Sequence, residues 1–288
     1  MSISAKQVMD LRKATDMPMM KCKKALEAEG GDFEKAIERL RKEGMKVAEA
    51  RADRNTAEGL VRVTIADDRK SGSVVAVACE TEPVAKTPRF VEFVDRLAVQ
   101  VADKSPADVD VLLTQPWIDD EGRTVDEVLR DLVGVIRENI KVQAVANLGI
   151  DNSGLVGSYV HYTNKDAAVV ALEADSVTEE LSELAKQLCM HIVFAKPTAL
   201  TRDEISADIV AKETEIARAQ IEQDPKMANK PAQVIDKIVE GKIGAYYKQS
   251  VLGEQDWVVD PSKKCTVADL LEQHGATLKA FDRVQVGG

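Results

Sequence analysis

The sequence predicts an α+β fold with three parts: a small three-helix bundle at the N-terminus and two duplicated halves, each an antiparallel sheet with a helix packed on it. A helical hairpin is expected to project from the second half. Two observations predict this class. Residues 1–54 carry 13 Lys and Arg against 10 Asp and Glu, whereas the whole chain has a net charge of −10. A Val-rich pattern then recurs at a constant offset. We therefore divide the chain into residues 1–54, 55–150 and 151–288.

Composition limits the classes of function. At about 150 residues per domain, 288 residues suffice for two domains. The acidic balance argues against a general nucleic-acid binder, which normally presents a dense basic face. No apolar run approaches the roughly 20 residues that span a bilayer, and residues 1–13 resemble neither a signal nor a transit peptide. The four scattered cysteines favour a reduced, cytoplasmic compartment.

The N-terminal segment has the pattern of three short helices. A first helix should end before Pro18, because the residue before a proline avoids the helical region. A second is expected over 18–29 and a third from the capping residue Asp32 to Gly44. Residues 45–54 are Ala- and charge-rich and predict a linker helix. A bundle this small usually presents a surface and rarely encloses a catalytic pocket.

An internal duplication organises the middle of the chain. The Gly-Leu-Val of residues 59–61 recurs at 154–156, and the Val-Val-Ala of residues 74–76 recurs at 169–171. Turn-forming residues interrupt each copy, so each predicts a β-hairpin. The alternative is a coincidence between two Val-rich hairpins, and the constant offset favours duplication. An amphipathic helix follows each hairpin, over about 90–102 and about 178–194.

Capping patterns predict the remaining elements. Thr124 and Glu127 form a capping-box pair before a helix to about residue 139, and a strand should follow over 140–148. Thr201 and Glu204 have the same pattern before a long helix.

The long helix is expected to be the first arm of a hairpin over about 201–246. Asp-Pro at 224–225 should turn the chain, and Pro231 should open the returning helix. The narrow apolar stripes of the two helices suit an antiparallel hairpin that buries one seam. A strand near 257–259, a capped helix over 266–274 and a strand over 278–286 complete the prediction.

Residues for common enzyme chemistry are missing from the sequence. It has no Gly-rich phosphate loop and no dinucleotide fingerprint, so direct nucleotide binding is not expected. Cys189 and His191 are two residues apart and would lie on different helix faces, which argues against a metal site. Cys79 has Glu80 and Glu82 nearby, and these charges would raise the pKa of the thiol and blunt it as a nucleophile. The sequence therefore predicts an interaction protein without cofactor or metal, and not an enzyme.

Motifs along most of the chain resemble those of the translation elongation factor Ts family. The most specific are Cys-Lys-Lys-Ala-Leu at 22–26 and the stretch Thr-Glu-Pro-Val-Ala-Lys at 81–86. Further landmarks follow in the family's order: Leu11-Arg12, Met19-Met20, Gly31-Asp32, Glu138-Asn139-Ile140, Gly157-Ser158-Tyr159, Met190-His191, Lys196-Pro197, Val239-Glu240-Gly241-Lys242 and Pro261-Ser262-Lys263.

The resemblance implies a guanine-nucleotide exchange factor for the GTPase elongation factor Tu. Such a factor binds the GDP form of its partner, disturbs the magnesium and phosphate sites, and leaves the partner ready for GTP. It needs no covalent step and no nucleotide site of its own. A 2:2 assembly could be joined through the partner or through the projecting hairpin, which could instead be a docking arm or only a lengthened connection.

The resemblance also assigns three groups of partner-binding residues. The magnesium-displacing loop would be Thr81, Glu82, Pro83 and Val84. The N-terminal bundle would contribute Leu11, Arg12, Met19, Met20, Lys23 and Lys24. The second half would contribute Met190, His191, Lys196 and Pro197.

Some of these residues have an alternative structural role. Leu11 is expected in the core at the border of the docking surface, and Met19 could share that core. Lys23 and Lys24 could form a plain solvated helix face. His191 lies beside Ile192 and Val193, so its ring could be buried and satisfied by hydrogen bonds.

Two departures from the family pattern stand out. The usual loop is Thr-Asp-Phe-Val, so Glu82 and Pro83 replace an aspartate and an aromatic wedge. Pro83 should stiffen the loop and lower the entropy cost of docking. Many members also carry a further C-terminal helix that contacts the GTPase, and here that contact is either absent or made by residues beyond Gly288.

Two other classes of protein compete with the exchange factor. The first is an adaptor whose helical bundle, similar to a ubiquitin-associated domain, binds a peptide; such an adaptor would be indifferent to GDP. The second is a thiol or metal enzyme built on Cys79 or Cys189, which alkylation would inactivate.

Overall fold

The computed structural model describes residues 3–223 and 231–287 and combines helices with antiparallel sheets, so the α+β class is confirmed. The helices are α1 Ala5–Thr15, α2 Met19–Ala28, α3 Phe33–Glu49, α4 Glu82–Ala85, α5 Pro88–Lys104, α6 Val109–Thr114, α7 Val125–Ile136, α8 Glu179–Ala195, α9 Ala207–Glu222, α10 Ala232–Ser250 and α11 Val267–Gln273. The strands are β1 Glu58–Ile65, β2 Ser71–Cys79, β3 Pro116–Trp117, β4 Asp120–Thr124, β5 Ile140–Gly149, β6 Gly154–Val160, β7 Asp166–Ala174 and β8 Ala276–Gln285.

The first three helices surround a small apolar core of their own. Ser4 caps α1 in a capping box with Gln7, and Asp32 caps α3 by accepting a hydrogen bond from the Lys35 N–H. Leu11 and Leu26 are fully buried in this core. The three helices are therefore held by capping and by one shared cluster.

Helix α3 does not end at Gly44 as the sequence predicted, but continues to Glu49. Gly44 is buried where α3 crosses α7. A Cβ on Gly134 of α7 would lie 2.7 Å from the Gly44 Cα, so the two glycines permit a close helix contact. Gly44 therefore serves packing and not termination, and the first three helices are docked firmly on the following domain.

Two three-stranded sheets form the centre of the molecule, with orders β1-β2-β5 and β6-β7-β8. Helix α5 covers one face of the first sheet, and α8 covers one face of the second. The remaining faces pack against each other through a shared apolar cluster. Because both faces of β2 and β7 are buried, these strands are continuous apolar runs.

Equivalent glycines support the interpretation of the two halves as a duplication. Gly59 and Gly154 both have φ near +150° (147° and 149°). A Cβ at either position would lie 2.1 Å from a carbonyl oxygen of the paired strand, that of Val77 or Leu172. The same unusual backbone therefore recurs at the same point of each hairpin.

The helical hairpin begins later than predicted. A 3₁₀ turn occupies Arg202–Glu204, and α9 is capped by Ser206. The predicted capping box is wrong, because the Glu204 carboxylate accepts a hydrogen bond from the Leu200 N–H at 2.6 Å. Ala217, Ile221 and Val239 form the buried seam with α10, which follows Pro231 as predicted. The predicted turn at 224–225 lies outside the described residues.

The C-terminal elements agree in part with prediction. Helix α11 has a capping box of Thr266 and Asp269, and β8 pairs with β7. No strand forms over 257–259, a described stretch in which Trp257 is buried against α8 and packs in the second core. The sequence analysis also missed α6, β3 and β4, which connect α5 to α7. Across the described ranges, no helix has both the length and the apolar character needed to cross a membrane.

Candidate partner-binding surface

The predicted loop is the first turn of a short helix. Thr81 precedes α4, and Pro83 lies in its first turn, where the missing N–H of a proline costs nothing. Thr81, Glu82 and Pro83 are exposed and Val84 is half-buried, whereas Ala85 is buried in the first core. The sequence therefore places three exposed side chains on a stiff, anchored turn.

The Glu82 carboxylate is charged and mostly exposed on this turn. Its Oε1 lies 2.6 Å from the Lys86 Nζ, one helical turn away, and both side chains are mostly exposed. The hydrogen bond and charge of Lys86 lower the pKa of Glu82. Glu82 therefore presents a carboxylate, and not a carboxylic acid, at neutral pH.

Glu138 holds the start of the turn from the other side. Its two carboxylate oxygens accept hydrogen bonds from the Thr81 N–H at 3.0 Å and from the Thr81 Oγ1 hydroxyl at 2.7 Å. Glu138 follows α7 and precedes β5. The turn is thus fixed to the body of the first sheet by two bonds to one carboxylate.

A second turn adds exposed aromatic surface that the sequence analysis missed. The chain between β6 and β7 contains Tyr162, which is 83% exposed and packs against His161 at 4.5 Å between ring centroids. Lys165 in the same turn forms an ion pair with Glu58, which pairs with Cys79 in the sheet, and its charge also reaches Glu82. The aromatic turn and the Thr81–Val84 turn therefore belong to one region. The signal in the sequence that could have indicated this surface was the adjacent aromatic pair, His161 and Tyr162, in a hairpin turn.

The N-terminal helices present a basic and methionine-rich face. Met19 and Met20 are 49% and 63% exposed, and Arg12 is exposed as well. Lys23 and Lys24 are also exposed, and Lys23 forms only a long, solvated ion pair with Glu27 at 3.6 Å. Flexible methionines and lysines suit a protein contact.

Leu11 does not belong to this exposed face. It is fully buried in the three-helix core, so a direct partner contact by its side chain, as assigned from the resemblance, does not fit the structure. The Leu11 side chain anchors α1 in the core and so supports the exposed Arg12 next to it.

The residues predicted in the second half also divide into buried members and members that reach the surface. His191 is fully buried: its ring stacks on Trp257 at 5.2 Å, and its Nε2 lies 2.9 Å from the Gln255 Oε1. Burial lowers the pKa of His191, so the ring is a neutral core group. Pro197 is also buried. Direct contacts by these two side chains are therefore corrected to structural roles, whereas Lys196 is exposed and Met190 is half-buried.

The cysteines considered as nucleophiles are buried thiols. Burial, with a smaller contribution from the Glu138 charge, raises the pKa of Cys79 to about 12. Burial also raises the pKa of Cys189. Such thiols are poor nucleophiles at neutral pH. Within residues 3–223 and 231–287, no three His, Cys, Asp or Glu side chains are grouped to hold a metal ion.

The exposed turns and the basic helical face are the kind of surface that suits contact with another protein. A family model described as elongation factor TS matches residues 80–288. Elongation factor Ts of Clostridium botulinum strain Eklund 17B is 37% identical over 279 residues, covering 96% of this chain and 90% of the relative. Elongation factor Ts of strain 657 of that species is 36% identical over 289 residues, covering 99% and 92%.

The chain belongs to the elongation factor Ts family. It is therefore a translation elongation factor of the exchange-factor class, with a role in protein biosynthesis.

Proposed function

We propose that this chain binds elongation factor Tu in its GDP form and promotes release of GDP. The Thr81–Val84 turn would displace the partner's magnesium ion and loosen its phosphate site, leaving a nucleotide-free partner ready for GTP. Family membership supports this class of function. The observation that carries the mechanism is the fixed, exposed carboxylate of Glu82 on a stiff turn.

The chemistry of the turn suits a magnesium site. A bound divalent cation is the largest local charge in a nucleotide site, so a carboxylate presented beside it competes for the cation and disturbs its ligands. Pro83 lacks the aromatic surface of the usual wedge but restricts the backbone. The turn therefore loses little conformational entropy on docking. We infer that charge and stiffness, more than apolar insertion, do the work of this turn.

The other exposed groups would supply binding energy. Arg12, Met19, Met20, Lys23 and Lys24 would dock on the partner's nucleotide-binding domain, and Met190 and Lys196 would contact a different domain. Leu11, His191 and Pro197 would act from within the core by holding these surfaces in place. The four cysteines are free thiols, which suits the cytoplasm as the compartment of this activity.

Exchange requires the chain to bind the nucleotide-free partner more tightly than the GDP-bound partner. By linkage, GDP must then weaken the binding of the chain by the same factor by which the chain weakens the binding of GDP. An adaptor that recognises only a surface peptide would show neither effect. The reciprocity therefore separates the exchange factor from the competing adaptor.

Calorimetric titration of the chain into elongation factor Tu at several GDP concentrations tests this proposal. We expect the apparent affinity to fall steadily as GDP rises, and the affinity for GDP to fall equally when the chain is saturating. An affinity that does not respond to GDP would contradict exchange and favour the adaptor.

We also propose that the α9–α10 hairpin joins two complexes in a 2:2 assembly. Ile209, Ile216 and Val234 are large apolar side chains exposed on the hairpin, which supports a protein contact there. Light scattering of the purified complex should give the 2:2 mass, and Ile216→Lys should reduce it to 1:1. An unchanged mass for the variant would contradict this use of the hairpin.

A further inference from the structure

Glu80 connects the N-terminal helices to the partner-binding turn, and nothing in the sequence analysis gave it a role. It lies between β2 and Thr81 and is nearly buried. Its Oε1 is 3.2 Å from the Arg51 Nη1, and its Oε2 is 3.3 Å from the Arg54 Nη1. Both arginines belong to the segment that follows α3. One carboxylate therefore binds that segment immediately before the turn.

Asn139 completes this connection from the start of β5. Its N–H donates to the Glu80 Oε1 at 2.7 Å, while its side-chain Nδ2 donates to the Ala52 and Arg54 carbonyl oxygens at 3.1 and 2.7 Å. Burial alone would raise the pKa of Glu80, but the Asn139 N–H and the two arginines outweigh that effect and lower it. Glu80 is therefore ionised and bound on several sides.

The residue adjacent to each of these two, Thr81 after Glu80 and Glu138 before Asn139, extends the connection. Glu138, adjacent to Asn139, accepts the two hydrogen bonds from Thr81 described above. Residues 51–54 are thus linked through Glu80 and Asn139 to Thr81, at the start of the turn. The contact of Gly44 with Gly134 fixes α3 to α7 at the other end of the same seam.

We propose that Glu80 is a positioning residue that couples docking of the N-terminal helices to placement of the Thr81–Val84 turn on the partner. This inference rests on the proposed exchange function. Glu80 need not touch the partner: its carboxylate is directed to Arg51, Arg54 and Asn139. Its effect is to make the basic helical face and the charged turn bind as one rigid unit, so that each contact strengthens the other.

The substitution Glu80→Gln tests this role with little change in shape. Glutamine keeps an oxygen that can accept the Asn139 N–H but loses the charge that binds the two arginines. Glu38→Gln is the matched control, because Glu38 forms an exposed ion pair with Lys42 on α3. Hydrogen exchange of the free chain should show faster exchange for residues 51–54 and 81–86 in Glu80→Gln, with no change in the control.

Coupling is measured by GDP release from elongation factor Tu. Lys23→Ala removes a charge from the helical face, and Glu82→Ala removes the charge of the turn. The unaltered chain, the two single variants and the double variant together form a double-mutant cycle. In chains that keep Glu80, we expect the effects of the two substitutions on the rate of GDP release to be non-additive. The rate of the double variant should differ by about threefold to tenfold from the product of the two single effects, and this ratio is the interaction factor. In the Glu80→Gln background the two effects should become additive. A residue that only stabilised the fold would lower all four rates together and leave the interaction factor unchanged.

The outcomes separate this inference from the function on which it rests. If the unaltered chain fails to accelerate GDP release, the proposed function is overturned and this inference with it. If the unaltered chain accelerates release but Glu80→Gln leaves either the cycle or the hydrogen exchange unchanged, this inference alone is overturned.

Discussion

Glu82 is the residue on which the proposed mechanism depends most directly. It is exposed, its pKa is lowered by Lys86, and its helical turn is held by Thr81 and Glu138. Pro83 beside it contributes stiffness in place of an aromatic wedge. The proposed mechanism therefore requires the negative charge of the Glu82 side chain and not its bulk.

Substitution of Glu82 by glutamine should therefore separate charge from shape. We expect Glu82→Gln to lower the acceleration of GDP release by about tenfold at physiological magnesium, a magnitude typical of a coupling contact. The difference should disappear when magnesium is removed, since no cation remains to be displaced. Stopped-flow fluorescence measures both conditions. A loss that persists without magnesium would contradict a role through the metal.

Cys79 should affect stability and not activity. Because its folded pKa is raised to about 12, the folded state keeps the proton, whereas the unfolded thiol loses it near pH 9. The stability contributed by the thiol is complete below pH 9 and is lost as the pH rises toward 12.

Comparison with Cys79→Ala measures this effect. Between pH 9 and 10, the free energy of unfolding of the unaltered chain should fall relative to the variant by up to about 1.4 kcal/mol per pH unit. Urea titrations at several pH values test it. Parallel pH profiles for the two proteins would show that the thiol does not resist ionisation.

At the scale of elements, the crossing of α3 and α7 fixes the N-terminal helices on the body. Gly44 and Gly134 allow this close approach, and Arg89 adds an ion pair to Asp16 at the end of α1. The basic helical face is therefore presented at a fixed angle to the Thr81–Val84 turn at the start of α4. The division of the chain into domains near residue 54 remains a prediction. Helix α3, before this boundary, packs extensively against α7, after it.

Gly134→Ala should weaken this crossing. The new methyl group would lie 2.7 Å from the Gly44 Cα, so the helices must separate, at a cost of about 1–3 kcal/mol in the free energy of unfolding. Gly241→Ala in α10 is the matched control: apart from its own stretch of helix, no atom of the described residues lies within 4 Å of the added Cβ, and alanine should stabilise that helix by about 0.5–1 kcal/mol. Urea unfolding compares the two. Equal effects of the two substitutions would contradict the close crossing.

Elements with a local signal could be predicted from the sequence, whereas contacts between elements could not. The hairpins of β1-β2 and β6-β7 and the capping box at Thr124 follow from alternation, turn composition and spacing. Gly44 was misread because a helix-ending glycine and a glycine at a helix crossing look alike without the partner helix. Thr201 and Glu204 fit a capping pattern, but tertiary contacts direct Glu204 to Leu200.

The candidate site shows the same limit. The family motif indicated the turn at Thr81 and the exposed basic face, but it could not separate exposed from buried members. Leu11 is buried between the exposed residues Asp10 and Arg12, and His191 is buried beside the half-buried Met190. The role of Glu80 depends on arginines from another segment, and no pattern in the residues beside it reveals them.

At the scale of the whole molecule, two sheets packed face to face hold the two halves together. One apolar cluster unites the halves, and the turn between β6 and β7 reaches across to β1 through the Asn164 carbonyl, which accepts the Val61 N–H at 2.7 Å. Each half therefore contributes to the region around Glu82. Under the proposed function, the rigid pairing of the halves would let the chain contact the partner's nucleotide-binding domain and a second domain at once.

The most direct test of the account is the rate of release of a fluorescent GDP from elongation factor Tu, measured by stopped flow with increasing amounts of this chain. We predict a large acceleration that rises with concentration and then saturates. A release rate that stays at its spontaneous value, while calorimetry shows that the two proteins bind, would contradict the account and leave a protein that binds its partner without exchanging the nucleotide.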